Sequence, residues 1–285
     1  MQNKPQFYLP MGRFFDSLIS YLNSSYRLKY FPNIWNPKKM NEILLSEKIF
    51  NYNFYSKQGR VTDKEDIQDW ILELGLGQYL NETVIVVNEP NELLGKKFDM
   101  DVIIKPTHSS GYIKIIPKDQ ILNSSDIKEM SDWLLEDYYI RSREPNYKGL
   151  KRKIIVEKML YNVNKEPVRD YKYFCSSGRV KAIQLDLGRF KNHTRQLYTK
   201  DWKLLNISMG YPHDERQIET PECLSEMISI SEKISENIKY CRVDLYVQNN
   251  NKIFFGELTF FPGNCAERFS PPEGDRLMGN FLLNQ

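Results

Sequence analysis

Two carboxylates stand where a packed core would ordinarily admit none: Asp244 in CRVDLYVQ (241–248) and Glu257 in KIFFGELTFF (252–261). Each run reads as an apolar strand, and the asparagines between them read as a turn. With a period of two, Arg242, Asp244 and Tyr246 share one face of the first run, and Ile253, Phe255, Glu257 and Thr259 share a face of the second. A symmetric two- or four-residue loop centred on Asn249 and Asn250 places Asp244 opposite Phe255 and Arg242 opposite Glu257, making the acids diagonal neighbours. Two carboxylates that close repel unless positive charge lies between them. Hard oxygen ligands suit Mg²⁺, held together with the phosphates of a nucleotide. An ordinary hairpin with a solvated face and an Arg242–Glu257 pair fits the same residues, and a one-residue change in the loop sends the acids to opposite faces.

Three other segments carry candidate chemistry. IIKPTHSSGYIKI (103–115) sets Lys105 at a strand end before a small-residue loop, Ser109, Ser110 and Gly111. Such a loop places an ammonium and backbone N–H groups against phosphates, although it is not the GxxxxGK[ST] pattern. A plain hairpin loop with an exposed lysine fits it too. IIVEKML (154–160) closes a buried run with Glu157 and Lys158, where a carboxylate and adjacent backbone meet a purine edge or simply meet water. DLGRFKNHTR (186–195) supplies Arg189, His193 and Arg195, either arginine forks for an acidic substrate or a solvated basic loop.

The elements that must position these residues follow from periodicity and punctuation. Residues 1–60 read as helices interrupted at FPNIWNPKK by Pro32 and Pro37. TDKEDIQDWILEL opens with acids and repeats apolar residues at Ile67, Trp70, Ile71 and Leu74, a capped helix that Gly75 and Gly77 end. Strands are expected at 83–87, 101–105, 112–116 and 153–160, with a helix at 124–139 between the third and fourth. YKYFCSSGRVKAIQLDL (171–187) reads as a hairpin turning at Ser176 to Gly178, and residues 220–238 as an amphipathic helix. Hairpins and helices without regular βαβ alternation make the fold class α+β.

With 285 residues, 41% hydrophobic and 27% charged, the chain has the composition of an ordinary globular protein with room for one or two domains. No N-terminal h-region and no long apolar run is present, which makes the cytoplasm the expected compartment. Cys175, Cys223, Cys241 and Cys265 are widely spaced, so neither a zinc site nor a disulfide framework is expected. The net charge of +3 is uneven: residues 1–60 hold nine Lys/Arg against three acids, 9 − 3 = +6. A basic, aromatic N-terminal segment suits an anionic membrane surface, here the inner face, or an anionic glycan. A solvated helical face accounts for it equally, and no nucleic-acid partner is expected.

Taken in order, these pieces resemble the ATP-grasp superfamily, and within it the TupA-like branch named after teichuronopeptide biosynthesis. NPKKMNE (36–42), KPTHSSG (105–111), DYKYF (170–174), RVDLY (242–246) and GELTFFPG (256–263) are its landmarks, spanning Asn36 to about Leu277. The resemblance implies two α+β lobes clasping ATP: an N-terminal helical segment (1–80), a first lobe with phosphate lid and adenine hinge (81–160), and a second with the Mg²⁺-binding hairpin and acceptor site (161–285). It implies Lys64 and Lys105 on the phosphates, His108, Ser109, Ser110 and Gly111 in the lid, and Glu157, Lys158 and Leu160 at the hinge. Asp170 and Lys172 join the nucleotide site, Asp244, Glu257 and Thr259 hold the metal, and Arg242 stabilises an acyl-phosphate. The lid reads Ser-Ser-Gly-Tyr where the branch is richer in glycine, and Thr259 stands where many relatives have Asn. The implied activity is an ATP-dependent carboxylate–amine ligase joining a small-molecule amine to a uronate or peptide carboxylate of a bacterial cell-surface polysaccharide precursor. A phosphotransferase acting on a glycan or lipid hydroxyl, and a non-catalytic glycan-associated protein on the same fold, are the alternatives.

Overall fold

Residues 10–188 and 192–283 are described by a computed structural model. The chain opens with α1 (Arg13–Leu28), α2 (Met40–Phe50), α3 (Tyr52–Tyr55), α4 (Gly59–Thr62) and α5 (Asp66–Glu73). The NPKKMNE stretch is a helix start. The Glu42 carboxylate accepts the backbone N–H groups of Asn33 (3.2 Å), Lys38 (3.0 Å) and Lys39 (3.1 Å), closing the chain onto the first turn of α2. Asp63 does the same for α5, accepting from Glu65 and Asp66. Helix α1 is inside out. Its polar residues Asp16, Ser20 and Ser24 are buried, while Phe14, Leu18, Leu22 and Tyr26 are exposed. Buried Asp16 accepts from Tyr52 (2.8 Å), from Tyr139, and from Arg143 (2.9 Å), which ties α1 down by its polar face.

A first antiparallel sheet contains β1 (Thr83–Val87), β2 (Val102–Pro106), β3 (Lys114–Ile116) and β4 (Ile154–Lys158) in the order β1-β4-β2-β3. It packs on α6 (Ser124–Leu135) through Val102, Ile104, Ile116, Met130 and Trp133. The single helix expected over 124–139 is two: α6 ends before Glu136, and the Asp137 side chain caps α7 (Tyr138–Ser142) by accepting from Ile140 N–H.

The second sheet holds β5 (Arg169–Ser176), β6 (Arg179–Leu187), β7 (Thr194–Thr199) and β8 (Leu204–Leu205); β9 (Ser208–Met209) lies apart, paired with a later strand. After α8 (Leu224–Ser235) come β10 (Tyr240–Gln248) and β11 (Lys252–Thr259), then β12 (Phe269–Ser270) and α9 (Glu273–Leu283). The strand order is β11-β10-β5-β6-β7-β8, and β12 pairs with β9. β5 turns into β6 through Ser177 and Gly178, both at positive φ, as a tight hairpin turn requires. The segment read as a basic loop, 186–195, ends in strand: Thr194 and Arg195 pair with Leu187 and Asp186. One core joins this sheet to α2, α8 and α9, and Gly279 lets α9 lie against α2, since a Cβ there would fall 2.1 Å from the Lys38 carbonyl oxygen.

Candidate active site

The hairpin that carries the two acids pairs differently from the symmetric expectation. Gln248 faces Lys252 across a three-residue turn in which Asn249 and Asn250 adopt left-handed backbone. An odd loop by itself would set Asp244 opposite Gly256 and turn Glu257 to the other face. A bulge restores the alignment: Leu245 pairs with Phe255, Gly256 is skipped, and Asp244 then faces Glu257 while Arg242 faces Thr259. Only glycine fits at the skipped position, because a Cβ would lie 2.9 Å from the Tyr246 ring and 3.0 Å from the Asp244 carbonyl oxygen. The acids are therefore directly opposed.

Arg242 lies between them. Its Nε and Nη2 grip Asp244 at 2.6 and 2.7 Å, and Nη2 lies 3.4 Å from Glu257 Oε1 and 3.2 Å from Thr259 Oγ1. Lys172, opposite Asp244 on β5, bonds Asp244 Oδ2 at 2.7 Å and Asp170 at 2.6 Å. On the next strands Asp186 takes Arg195 Nε at 2.7 Å, and Arg195 continues to the Met209 carbonyl and to Glu267. Charges of alternating sign thus cross β11, β10, β5, β6 and β7. Burial works against the charge on Lys172, yet Asp170 and Asp244 outweigh it and raise its pKa. Burial likewise pushes Asp186 up, but Arg195 and Lys172 hold it down at about 2. Burial pulls the Asp244 carboxyl upward against Arg242 and Lys172.

Facing this row are the two inner strands of the first sheet, β2 and β4. Lys105 and Glu157 form an ion pair of 2.5 Å with both side chains largely buried. Ile103 pairs with Glu157 and Lys105 with Ile155, so the two are diagonal neighbours on adjacent strands, within reach of long side chains. Burial lowers Lys105 and Glu157 more than offsets it, raising the pKa. Lys64 donates to the Ser109 carbonyl, and burial lowers its pKa against the field of Glu257.

Several expected site residues have protein partners of their own. Glu157, expected at a purine edge, is paired with Lys105. Lys158 points to Glu82 at 3.3 Å, and the N–H groups of Lys158 and Met159 are already taken by Glu82 O and Asp101 O. Leu160 is buried. The lid is anchored: Thr107, His108 and Ser109 are buried, Thr107 N–H is bound to Lys153 O, and Gly111 is exposed at positive φ with Ser110 half-buried before it. His108 reaches Glu136 O at 3.2 Å, and burial lowers its pKa. Arg195 is buried in β7, and the part-buried His193 lies against Tyr211 with ring centroids 3.7 Å apart. Arg189 lies outside the described residues.

The row opens on a cleft of about 820 Å³ whose walls include Lys172, Arg242, Glu257 and Arg195 from the sheet, Arg27 from α1, and Ser110 and Arg141 from the other side. Sequence reading missed Glu144, which lines the same cleft, and Lys48 beside it. Neither lies in a pattern: one precedes a proline in a polar turn, and the other is one lysine in an apolar helix.

A family model described as TupA-like ATP-grasp matches residues 41–283. The chain belongs to the TupA-like ATP-grasp family. Membership makes it an ATP-dependent ligase in class, and ATP-grasp enzymes use ATP and Mg²⁺. No curated protein sequence matches the chain. Among solved structures it is similar to a D-alanine–D-alanine ligase from Bacillus anthracis (14% identity, 84% of this chain and 75% of that one, TM-score 0.46). It is similar also to an L-amino acid ligase from Bacillus licheniformis (10%, 87% and 57%, TM-score 0.48) and to the ATP-grasp ligase PsnB (11%, 98% and 75%, TM-score 0.40).

The TupA-like site suits the implied nucleotide and metal in donor chemistry. Glu257 and Thr259 offer hard oxygens at the cleft, Lys64, Lys105, Lys172 and Arg242 offer positive charge, and the buried Ser109 hydroxyl has no hydrogen-bond partner among the described residues. Asp244 differs: Arg242 and Lys172 engage both of its oxygens.

Proposed function

We propose that this TupA-like ATP-grasp enzyme joins the carboxylate of a uronate or peptide, part of a bacterial cell-surface polysaccharide precursor, to a small-molecule amine through an acyl-phosphate. In this reading residues 81–160 and 161–285 are the clasping lobes behind a helical segment at 1–80. Bound ATP and Mg²⁺ supply the transferable phosphoryl group and part of the charge neutralisation its transfer requires. Lys105 and Lys64 hold phosphate oxygens, and Glu257 and Thr259 offer metal ligands, joined by Asp244 once Arg242 releases it. Arg242, freed, stabilises charge on the acyl-phosphate. Arg195 and His193 line the acceptor end of the cleft, with Arg27 and Arg141 at its mouth, a lining that suits an anionic acceptor.

The observation that carries this reading is the bulge at Gly256, which sets Glu257 on the wall of a large cleft directly opposite the buried Asp244, with Arg242 between them. The test is ADP release from ATP with a panel of uronate-bearing glycans and amines. Release that needs both partners is expected. A stable phosphorylated glycan formed without amine identifies the phosphotransferase instead.

The outward face of α1 supports a membrane partner for the same enzyme. Phe14, Leu18, Leu22 and Tyr26 stand exposed together with Phe31 and Trp35, the last at 82%. In the same N-terminal stretch Arg13, Arg27, Lys29, Lys38 and Lys57 are exposed, while Asp16, Glu42 and Glu47 are all buried. Exposed apolar side chains on a helix that also exposes cations suit an anionic lipid surface, and like charge disfavours a second copy of this face. Among the described residues no helix is long and apolar enough to cross a membrane. Flotation with vesicles is expected to carry the protein when anionic lipid is present, and less so after Leu18→Glu and Leu22→Glu. Equal flotation with neutral vesicles, or none with either, removes the membrane.

A further inference from the structure

Glu144 is buried, lines the cleft and is left over by everything described above. It is 5% exposed. Its backbone is fixed: the N–H donates to the Ser142 hydroxyl at 3.1 Å, the carbonyl accepts from Tyr147 N–H, and Pro145 holds the residue extended. Its carboxylate has no hydrogen bond and no ion pair among the described residues, although a buried carboxylate without partners is costly. Lys48 stands close enough to attract it but spends its hydrogen bonds on the Ser142 carbonyl (3.2 Å) and Asn264 Oδ1 (2.5 Å).

We infer that Glu144 receives the ammonium group of the incoming amine substrate. The inference rests on the ligase reading. The surroundings fit: the Tyr138 and Tyr147 rings, with centroids 4.4 Å apart, line the cleft beside Glu144, and an alkylammonium is satisfied by one carboxylate and aromatic faces. The charged groups facing Glu144 are Lys48 from α2, Arg141 from α7 and Glu257 from β11. Burial, with Glu257 adding to it, pushes the carboxyl up to about 7 against Lys48 and Arg141, so the carboxylate can also take a proton from the ammonium it binds.

The chemistry balances. The ammonium R–NH₃⁺ gives one proton to the Glu144 carboxylate, and the neutral amine attacks the acyl-phosphate carbonyl carbon with its lone pair. The C–N bond forms, the C–O bond to phosphorus breaks, and phosphate leaves with that electron pair. The second amine proton goes to the departing phosphate.

The experiment measures binding, not turnover. Wild-type protein with ADP and Mg²⁺ is titrated calorimetrically with L-amino acids, ethanolamine, putrescine and glucosamine, each beside its N-acetyl counterpart. At least one free amine is expected to bind where its acetylated form does not, and Glu144→Gln is expected to weaken it about tenfold to a hundredfold while ADP affinity stays within about twofold. Glu144→Asp, which keeps the charge but shortens its reach, is expected to lose less, and it decides the matter if the Gln variant fails to fold. Unchanged amine affinity in both variants overturns the assignment, as does the absence of any amine binding to wild type that binds ADP. Failure of the wild type to bind ADP and Mg²⁺ overturns the ligase reading instead.

Discussion

Replacing Glu144 by Gln should stabilise the fold, and the size of the gain can be worked from its surroundings. Burial holds this carboxyl at about 7 where its ordinary value is 4.5. Each tenfold difference in proton affinity between folded and unfolded states is worth about 1.4 kcal/mol, so the ionised side chain lowers stability by about 3 kcal/mol above neutral pH. This is an upper bound, because Gln remains a buried polar group. The folded state binds the proton more tightly. The contribution is therefore fully present below pH 4.5, lost as pH rises toward 7, and absent above it. For a chain of 285 residues, about 3 kcal/mol corresponds to a Tm shift of about 5 °C. Urea unfolding of wild type and variant at several pH values is the assay. The variant should be the more stable at pH 8, with the difference closing as pH falls to 4.5. A variant less stable at pH 8, or a difference that does not change with pH, would refute the view of Glu144 as an unpartnered buried carboxylate.

Three further outcomes are expected. Gly256→Val forces a Cβ against the Tyr246 ring and the Asp244 carbonyl, costing about 1–3 kcal/mol, and it should weaken Mg²⁺-dependent nucleotide binding more than Mg²⁺-independent binding; a calorimetric titration with and without the metal checks this. Lys105→Met strands Glu157 and should cost about 3–5 kcal/mol in thermal or urea melts; adding Glu157→Gln should restore the melt but not ATP affinity, and restored affinity would take Lys105 out of the site. Arg195→Ala frees Asp186, now held at about 2 below its ordinary 3.8, and should cost about 2 kcal/mol at neutral pH. That difference should shrink as pH falls from 3.8 toward 2, followed by circular dichroism on acid titration.

Period-two alternation was enough to put Arg242 and Asp244 on one face of their hairpin strand and Glu257 and Thr259 on one face of theirs, and the order of small motifs was enough to name a family, because both are properties of neighbouring residues. Pro32, Pro37, Asp63 and Gly75 likewise punctuate the helices locally. The register of that hairpin was not legible. A three-residue turn and a bulge at Gly256 each shift it by one, and they cancel only in the folded ladder.

What the chain cannot state in its own order is which distant side chains neutralise one another. Lys105 reads as an exposed strand-end lysine until β2 meets β4 and Glu157 closes on it. Arg195 reads as part of a basic loop until β7 joins β6 and Asp186 claims it. Helix α1 reads only as part of a helical, basic and aromatic stretch, and the burial of Asp16 against Tyr52, Tyr139 and Arg143 is what turns its apolar face outward. Glu144 is one acid among many in the linear chain. Its isolation comes from the partners the tertiary structure withholds, since burial and pairing are decided by contacts between residues far apart in sequence.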